Sequence, residues 1–315
     1  MSTEHATDHL HVVLGASGGV GSEAVTLLAA AGHRVRAVAR QTPPTAPPEN
    51  VAWMEADVAT PDGAARAVAG AGVVISFAQP AYHRWPQEFP DLMRTIADAC
   101  TAADAPLVMA DNLYCYGPHD GPLTEDLPMA ATTRKGSTRA AVARDLLERD
   151  ARGDLRVTLG RASDYFGPTG NSIANALVLD PVRKGKRGRW VGRLDRLHTH
   201  AYSRDFARAL IVLAHDDRAF GQPWHLPAAT PLTGGDFVRL AHRVAGIDAE
   251  PGLVTPTMSR VAGLFVRAIR EGNEMAYEFT EEFVVDHTAF DATFGPFTAT
   301  PLADALAESL ALPAG

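Results

Sequence analysis

The feature that most constrains the fold is a glycine-rich turn near the start of the chain, LGASGGVG. Gly15, Gly18 and Gly21 form a G-x-x-G-x-x-G pattern that follows an apolar run and opens an amphipathic one. Glycine permits a tight turn, a close approach of backbone to a pyrophosphate, and close packing of helix on strand. The following helix offers free N–H groups and a partial positive charge. The turn therefore predicts a dinucleotide site that includes these glycines and Ser17.

Apolar and amphipathic runs alternate through the first half of the sequence. The apolar runs predict strands at 10–16, 33–40, 51–58, 72–79, 105–112 and 155–168. The runs between them predict helices because their apolar residues recur every three or four positions. Strand–helix alternation at this spacing predicts an α/β fold, a doubly wound parallel Rossmann sheet built by right-handed crossovers.

The pattern becomes irregular after Pro168, where proline and glycine stay frequent. Further helices are predicted at 202–216, 234–247 and 301–312. We therefore predict a nucleotide-binding Rossmann domain over 1–168, to which 190–225 returns. Residues 169–315 are predicted to form a smaller mixed lobe that binds the substrate.

Composition excludes several classes of protein. The 315 residues are 46% apolar and 21% charged, and their net charge of -8 argues against nonspecific binding to nucleic acid. The basic run at 183–189 is interpreted as a solvated loop. No apolar run approaches the roughly 18 residues of a membrane span, and no secretory signal pattern begins the chain, so we predict a cytoplasmic protein with no membrane partner.

Cysteine and histidine patterns predict neither a disulfide nor a metal site. Cys100 and Cys115 fit no metal-ligand spacing. The histidines near the N-terminus (His5, His9 and His11) are interpreted as part of a polar leader. The HTH segment at 198–200 has no third ligand nearby in the sequence, so substrate contact or packing of the lobe is the expected role.

The end of the second predicted strand indicates which dinucleotide binds. An acidic residue there would accept a hydrogen bond from a ribose 2′-hydroxyl, but this chain has Arg40. A guanidinium suits a 2′-phosphate, so we predict NADP(H) in preference to NAD(H). Asp57, followed by Val58, ends the third strand; it is expected either to contact the adenine amino group or to cap the next helix.

The chain resembles the extended short-chain dehydrogenases/reductases, in their NAD(P)-dependent epimerase/dehydratase branch. The resemblance rests on the glycine turn, on Asp57-Val58, and on DNLYCYGP (111–118), RASDYFGP (161–168) and HTHAYSRDFARAL (198–210). It implies a Ser or Thr after the fifth strand and a later Tyr-x-x-x-Lys pair. In that family the tyrosine is the acid/base, and the lysine lowers its pKa and holds the nicotinamide ribose.

This chain departs from the family pattern at all three catalytic positions, which fall on Asn112, Lys135 and Arg139. The Asn112 side chain can donate a hydrogen bond to a substrate oxygen, and the Arg139 guanidinium can donate to ribose hydroxyls. Lys135 would need burial beside Arg139 to become a useful acid near neutral pH. Tyr114 and Tyr165 are the alternative proton donors, so these five residues form the predicted catalytic set.

Three functions stay open. The favoured one is an NADP(H)-dependent oxidoreductase acting on a carbonyl or conjugated alkene of a small molecule, because hydride transfer needs alignment more than a strong acid. The second is an NAD(P)-dependent epimerase or dehydratase acting on a nucleotide sugar. The third is a nucleotide-binding sensor or redox-neutral catalyst. The resemblance also suggests a homodimer through the helices near 87–103 and 135–150, with Ala97, Ala140 and Ala141 at the seam.

Overall fold

A computed structural model of the chain describes residues 9–41, 46–265 and 267–311. Parts of several predicted segments, including the start of the first domain, the proline-rich loop after the second strand and the last residue of the final helix, lie outside the described residues. The strands are β1 (His11–Leu14), β2 (Val35–Ala39), β3 (Val51–Glu55), β4 (Val73–Ser76), β5 (Leu107–Asn112), β6 (Val157–Ala162), β7 (Tyr165–Phe166), β8 (Arg189–Val191), β9 (Leu197–His198), β10 (Ala201–Tyr202), β11 (Pro223–His225), β12 (Leu232–Thr233) and β13 (Gly252–Val254).

The helices between the early strands are long, and several later ones are short. They are α1 (Gly19–Ala30), α2 (Pro61–Val68), α3 (Trp85–Ala102), α4 (Arg134–Ala151), α5 (Asp180–Arg183), α6 (Ser203–Ala214), α7 (Gly234–Ala245), α8 (Pro256–Phe265), α9 (Arg267–Gly272), α10 (Tyr277–Thr280), α11 (Thr288–Phe294) and α12 (Leu302–Ala311). A π-helical turn precedes α5, at Asn175–Leu179. None of these described helices is both long enough and apolar enough to cross a lipid bilayer.

The central sheet has seven strands in the order β11–β6–β5–β4–β1–β2–β3. The pairs from β3 across to β5 run parallel. β1 lies between β4 and β2, so the order reverses there, and open α/β sheets bind ligands outside the carboxyl ends of strands at such a point. The predicted doubly wound α/β fold is confirmed.

Two details of the predicted sheet are wrong. The sequence predicts six strands, but the short β11 adds a seventh, and three residues carry too weak a pattern to be found. The predicted sixth strand at 155–168 also stops early: β6 ends at Ala162, and Tyr165–Phe166 pairs with Ala201–Tyr202 in a separate two-stranded sheet.

The chain divides into two compact units. The first contains the residues up to Asp111 together with Thr138–Arg161 and Ala207–Trp224. The second contains Asn112–Ser137, Ala162–Phe206 and the residues from His225 onward. The assignment of a nucleotide-binding domain to 1–168 and a substrate lobe to 169–315 stays a prediction.

Each unit has its own apolar packing. In the second unit, aromatic side chains including Phe166, Trp190 and Phe237 form a buried cluster with Leu302 and Leu306 of α12. In the first unit, Ala97 of α3 and Ala140 of α4 are fully buried, whereas Ala141 is exposed. Two of the three small residues suggested for a seam therefore pack inside their own unit, and the homodimer stays a prediction.

Candidate functional site

The glycine turn between β1 and α1 has little room for side chains. Gly15 has a φ of +79°, and a Cβ there would lie 2.9 Å from the carbonyl carbon of Phe77. A Cβ on Gly21 would collide with the carbonyl oxygen of Gly15. The Gly18 N–H donates to that same oxygen at 3.0 Å and closes the turn. Gly15 and Gly21 therefore let α1 start directly against β1, as a dinucleotide turn requires.

The N-terminus of α1 suits an anion. Its N-cap is Gly18, no side chain caps it, and its first turn holds no acidic residue. The first N–H groups of a helix have no partner within the helix, and they carry partial positive charge. Gly18 and the adjacent Ser17 are exposed. The exposed helix start, with the Cβ-free approach at Gly18, fits a pyrophosphate.

Two arginines of β2 and its end have different surroundings. Arg36 donates to the carbonyl oxygens of Ala67 and Ala69, at 2.9 and 2.7 Å, and so binds the C-terminal end of α2. Arg40 follows the last residue of β2 and is exposed. Arg40 is thus the cation available at the strand end where the ribose of a dinucleotide would lie.

The residues after β3 form a local turn. An oxygen of the exposed Asp57 carboxylate accepts a hydrogen bond from the Ala59 N–H at 3.1 Å. Thr60, and not Asp57, is the N-cap of α2, because its hydroxyl accepts from the Gly63 N–H. The capping alternative for Asp57 is therefore wrong. Val58 is half-buried beside it, and adenine contact by these two residues stays a prediction.

Arg139 is at the centre of a buried charged network in the first unit. It donates to Asp111 at 3.2 Å and to the Gln79 side chain at 3.1 Å. Its guanidinium lies 4.1 Å from the ring centre of Trp85 and 4.2 Å from that of Phe89. The second oxygen of Asp111 accepts from the fully buried Arg161 at 3.2 Å. One carboxylate therefore pairs with two guanidiniums at the carboxyl end of β5, and the network keeps a net positive charge.

Lys135 is buried in the second unit and has carboxylate partners. Its ammonium donates to the Glu271 carboxylate at 2.9 Å, to the Glu271 carbonyl oxygen at 3.0 Å and to the Glu274 carboxylate at 2.5 Å. The side chain has no exposed surface. Hydrogen bonding to Lys135 holds the pKa of Glu271 below its usual value. An ammonium has three donors, so the contacts with Glu271 and Glu274 account for all of them.

Asn112, Tyr114 and Tyr165 differ in their local contacts and burial. The Asn112 side-chain oxygen accepts from the Tyr114 N–H at 3.2 Å and so shapes the turn after β5. Tyr114 is half-buried. Burial raises the pKa of Tyr165, partly offset by a backbone hydrogen bond from Asn171. Tyr165 is thus a neutral phenol at neutral pH, whereas the family tyrosine works because its pKa is lowered.

The second unit also contains a buried group of acids and imidazoles. Asp164 lies two residues after β6, and its oxygen is 3.2 Å from Nε2 of His198. The Nδ1 of His198 is 3.1 Å from the Glu278 carbonyl oxygen. Because a carbonyl oxygen only accepts, Nδ1 carries a proton. The Asp164 oxygen and Nε2 of His198 are both buried, and neither has a hydrogen-bond partner within the described chain.

Two neighbours of this pair are neutral. Burial, and then the charge of Asp164, raises the pKa of Glu278 well above its usual value, and both carboxyl oxygens are buried without a partner in the described chain. Burial lowers the pKa of His200 well below its usual value, and its ring stacks on Phe237 with centres 4.0 Å apart. The cluster of Asp164, His198, His200 and Glu278 therefore places a neutral acid and a neutral imidazole near two polar atoms that lack hydrogen-bond partners in the described chain.

The structure thus groups the predicted residues differently from the family plan. The glycines and Ser17 lie in one turn, and their contact with a dinucleotide stays a prediction. Arg139 pairs with Asp111 and Gln79, which the sequence did not indicate as its partners. The glutamates that accept hydrogen bonds from Lys135 were not predicted. Nor was Glu278, whose backbone carbonyl oxygen accepts from Nδ1 of His198. The only sequence sign of them is the acidic spacing in EGNEMAYE (271–278), which gives no indication of which side chains it meets.

Comparison with known proteins identifies relatives of the fold. A model of the NAD dependent epimerase/dehydratase family matches residues 11–226. A search of curated proteins finds no match. Among solved structures, the UDP-glucose 4-epimerase of Thermotoga maritima, solved with UDP-glucose, is similar at a TM-score of 0.78 and 15% identity, covering 96% of this chain and 97% of that one.

Two further structures have the same fold. The double mutant of the dTDP-glucose 4,6-dehydratase DesIV from Streptomyces venezuelae, solved with NAD, has a TM-score of 0.76 and 16% identity, covering 96% of this chain and 95% of that one. MoeE5 in complex with UDP-glucose and NAD has a TM-score of 0.75 and 21% identity, covering 96% and 97%. At these identities, the likeness shows the fold alone.

Proposed function

Because the chain belongs to the NAD-dependent epimerase/dehydratase family, an enzyme family, we propose that it is an NADP(H)-dependent oxidoreductase. Its substrate would be a small molecule with a carbonyl or a conjugated alkene. The observation that carries the proposal is the glycine turn, where the uncapped start of α1 is open to a diphosphate. A bound nicotinamide supplies or accepts the hydride, and the residues of this chain orient the reactants and move the proton.

The preference for NADP(H) rests on Arg40. Arg36, the other arginine of this strand, is held by two backbone carbonyls, whereas Arg40 is exposed at the strand end. A guanidinium forms charge-assisted hydrogen bonds with a phosphate that a ribose hydroxyl does not match. We therefore expect Arg40 to contact the 2′-phosphate.

Calorimetric titration with NADPH and NADH tests this preference. Arg40→Ala should weaken NADPH binding by about tenfold, equivalent to one charge-assisted contact at an exposed site, and leave NADH binding unchanged. Arg94→Ala, which removes an exposed arginine paired with Asp91 on α3, is the matched control. Equal affinity of the unaltered protein for NADPH and NADH would contradict the NADP(H) assignment.

For the proton we propose the Asp164–His198 pair. The Asp164 oxygen lies 3.2 Å from Nε2 of His198, and neither atom has a hydrogen-bond partner in the described chain that would compete with a substrate. Asp164 also lies two residues after β6, and sheets of this kind bind ligands outside the carboxyl ends of their strands. The ammonium of Lys135 already donates to Glu271 and Glu274, so we propose that it anchors that segment. Asn112, Tyr114 and Tyr165 are proposed as hydrogen-bonding residues toward substrate, and Arg139 as a support for the ribose.

A turnover assay separates these roles. With NADPH and a panel of aldehydes and enones, consumption of NADPH at the rate of product formation is the expected result. Asp164→Asn should lower kcat by about 10²–10⁴-fold, the usual contribution of general acid catalysis, with unchanged NADPH affinity. Asp126→Asn, at an exposed carboxylate that accepts from Thr124, is the control. Unaltered kcat in Asp164→Asn would exclude the pair as the proton source.

A second candidate is an epimerase or dehydratase acting on a nucleotide sugar. It is favoured by the structural similarity to proteins solved with UDP-glucose. Such an enzyme returns its hydride to the product, so it would convert UDP-glucose without net loss of NAD(P)H. Tight binding of NADP(H) with no turnover of either substrate class would instead support the nucleotide-binding sensor.

A further inference from the structure

Three histidines converge in the first unit, away from every residue assigned above. His11 begins β1, His33 precedes β2, and His215 follows the last residue of α6. One ring nitrogen from each lies within 4.8 Å of one from each of the others. The ring centres are 4.6, 5.0 and 5.1 Å apart. The three come from segments far apart in the sequence, so the fold, and not local spacing, brings them together.

Hydrogen bonds prepare His11 to act as a ligand. Its Nδ1 is 3.1 Å from the His9 carbonyl oxygen, which only accepts, so Nδ1 carries the proton. Its Nε2 therefore accepts the hydrogen bond that Nε2 of His215 donates at 2.7 Å, and a bound ion would replace that proton. A carbonyl that fixes the tautomer of a histidine in this way is the usual support behind a metal ligand.

The other two histidines complete the arrangement. The Nδ1 of His33 is buried and has no hydrogen-bond partner within the described chain. His215 is exposed, which gives an ion access from solvent. The cluster also lies beside the C-terminal ends of α1 and α6, whose partial negative charges favour a cation.

We propose that His11, His33 and His215 form a binding site for a late first-row divalent cation such as Zn²⁺. Imidazole nitrogens suit these ions, and three histidines leave a fourth position for water or another ligand. Metal–nitrogen distances of about 2.0–2.1 Å place tetrahedral ligand atoms about 3.4 Å apart. The nitrogens of His11 and His215 must separate slightly while His33 moves inward. The bound ion would tie the start of β1 to the end of α6.

Calorimetric titration of the full chain with ZnCl₂, after removal of any polyhistidine tag and of bound metal by EDTA, tests the site. We expect one equivalent to bind with a Kd in the micromolar range or tighter, and Zn²⁺ to raise the Tm. His215→Ala and His33→Ala should each weaken binding at least tenfold. His119→Ala, at an exposed histidine elsewhere, should leave it unchanged.

Cobalt provides an independent reading. Co²⁺ bound by three imidazoles and water should give the strong visible absorption of a tetrahedral complex, and that absorption should be lost in His33→Ala. Circular dichroism should show that both variants are folded. We expect this because His215 is exposed and His33 lies in a loop. Binding of less than one equivalent, or equal binding by the variants and the unaltered protein, would overturn the proposal and leave an imidazole cluster only.

Discussion

The glycine turn after β1 matches the sequence pattern of the family, whereas the start of α4 departs from it. At the turn, Gly15, Gly18 and Gly21 stand at the family positions, and the start of α1 is uncapped. In α4, Lys135 and Arg139 lie where the resemblance implies the tyrosine and lysine, and both are buried in ion pairs. Backbone amides can bind a ligand wherever no side chain blocks them, so such a site needs only small residues. A site made of catalytic side chains is lost when those side chains are substituted.

The largest effect is expected for Lys135→Met. The change leaves the carboxylates of Glu271 and Glu274 with only the exposed Arg134 as a cationic partner. Breaking a buried pair costs about 3–5 kcal/mol in the free energy of unfolding, and Arg134 should place the loss toward the lower end. Urea denaturation measures it. Arg94→Ala removes an exposed pair with Asp91 and should cost less than about 1 kcal/mol. A stable but inactive Lys135→Met would instead make Lys135 the catalytic group.

Next in size are alanine substitutions in the glycine turn. Gly21→Ala forces a Cβ against the Gly15 carbonyl oxygen and should cost about 1–3 kcal/mol. It should also weaken NADPH binding, because α1 moves away from β1. Gly18→Ala would set its Cβ 3.3 Å from the Gly15 carbonyl oxygen, a tight contact that a shift of a few tenths of an ångström relieves. The backbone there is extended, so the free energy of unfolding should change by less than about 1 kcal/mol. Equal destabilisation by the two changes would contradict this account of the turn.

Arg139→Lys should have a smaller effect than either. Lysine keeps the charge near Asp111 but loses the planar group that lies against Trp85 and Phe89. Desolvated cation–π contacts are worth about 2 kcal/mol or more, and the lysine ammonium keeps part of that attraction. A loss of about 1–2 kcal/mol in urea denaturation is therefore expected. Arg149→Lys, in ion pairs with the exposed Asp98 and Asp145, is the control. If Arg139→Lys left the free energy of unfolding unchanged, the contacts with Trp85 and Phe89 would not stabilise the protein.

The effect that depends on pH, and that is smallest at acidic pH, is expected for Glu278→Gln. Burial raises the pKa of Glu278, so the folded protein binds a proton that the unfolded chain releases above its ordinary value of 4.5. The stability of the unaltered protein therefore falls as the pH rises through this range, and the Gln variant lacks that loss. The two proteins should unfold alike near pH 4, below the ordinary pKa of 4.5, and the variant should be more stable at pH 8. The opposite order at pH 8 would mean that Glu278 is ionised and paired.

The sequence was a good guide where structure is local. Five of the six predicted strands match elements of the sheet closely, and the sixth overran because apolar residues continue past Ala162 into a different sheet. The glycine turn was equally readable, because its three glycines and the strand and helix around it lie within a short stretch of chain.

Contacts across long sequence separations were not readable. Lys135 is one of only three lysines in the chain, and its partners lie more than 130 positions later. The same holds for His11 and His215, which periodicity places on separate elements without indicating that their rings meet. Burial then decides the chemistry of such groups, as it does for Glu278, and burial follows from the tertiary fold.

The ion pairs of Lys135 have a consequence for attempts to rebuild the family chemistry in this chain. Lys135→Tyr would set a phenol beside the carboxylates of Glu271 and Glu274, which oppose its ionisation, while Arg139 stays bound to Asp111. The single change Lys135→Tyr would thus give a less stable protein whose tyrosine cannot act as the base. A working acid/base at this position would need two or three replacements made together, in segments far apart in the sequence.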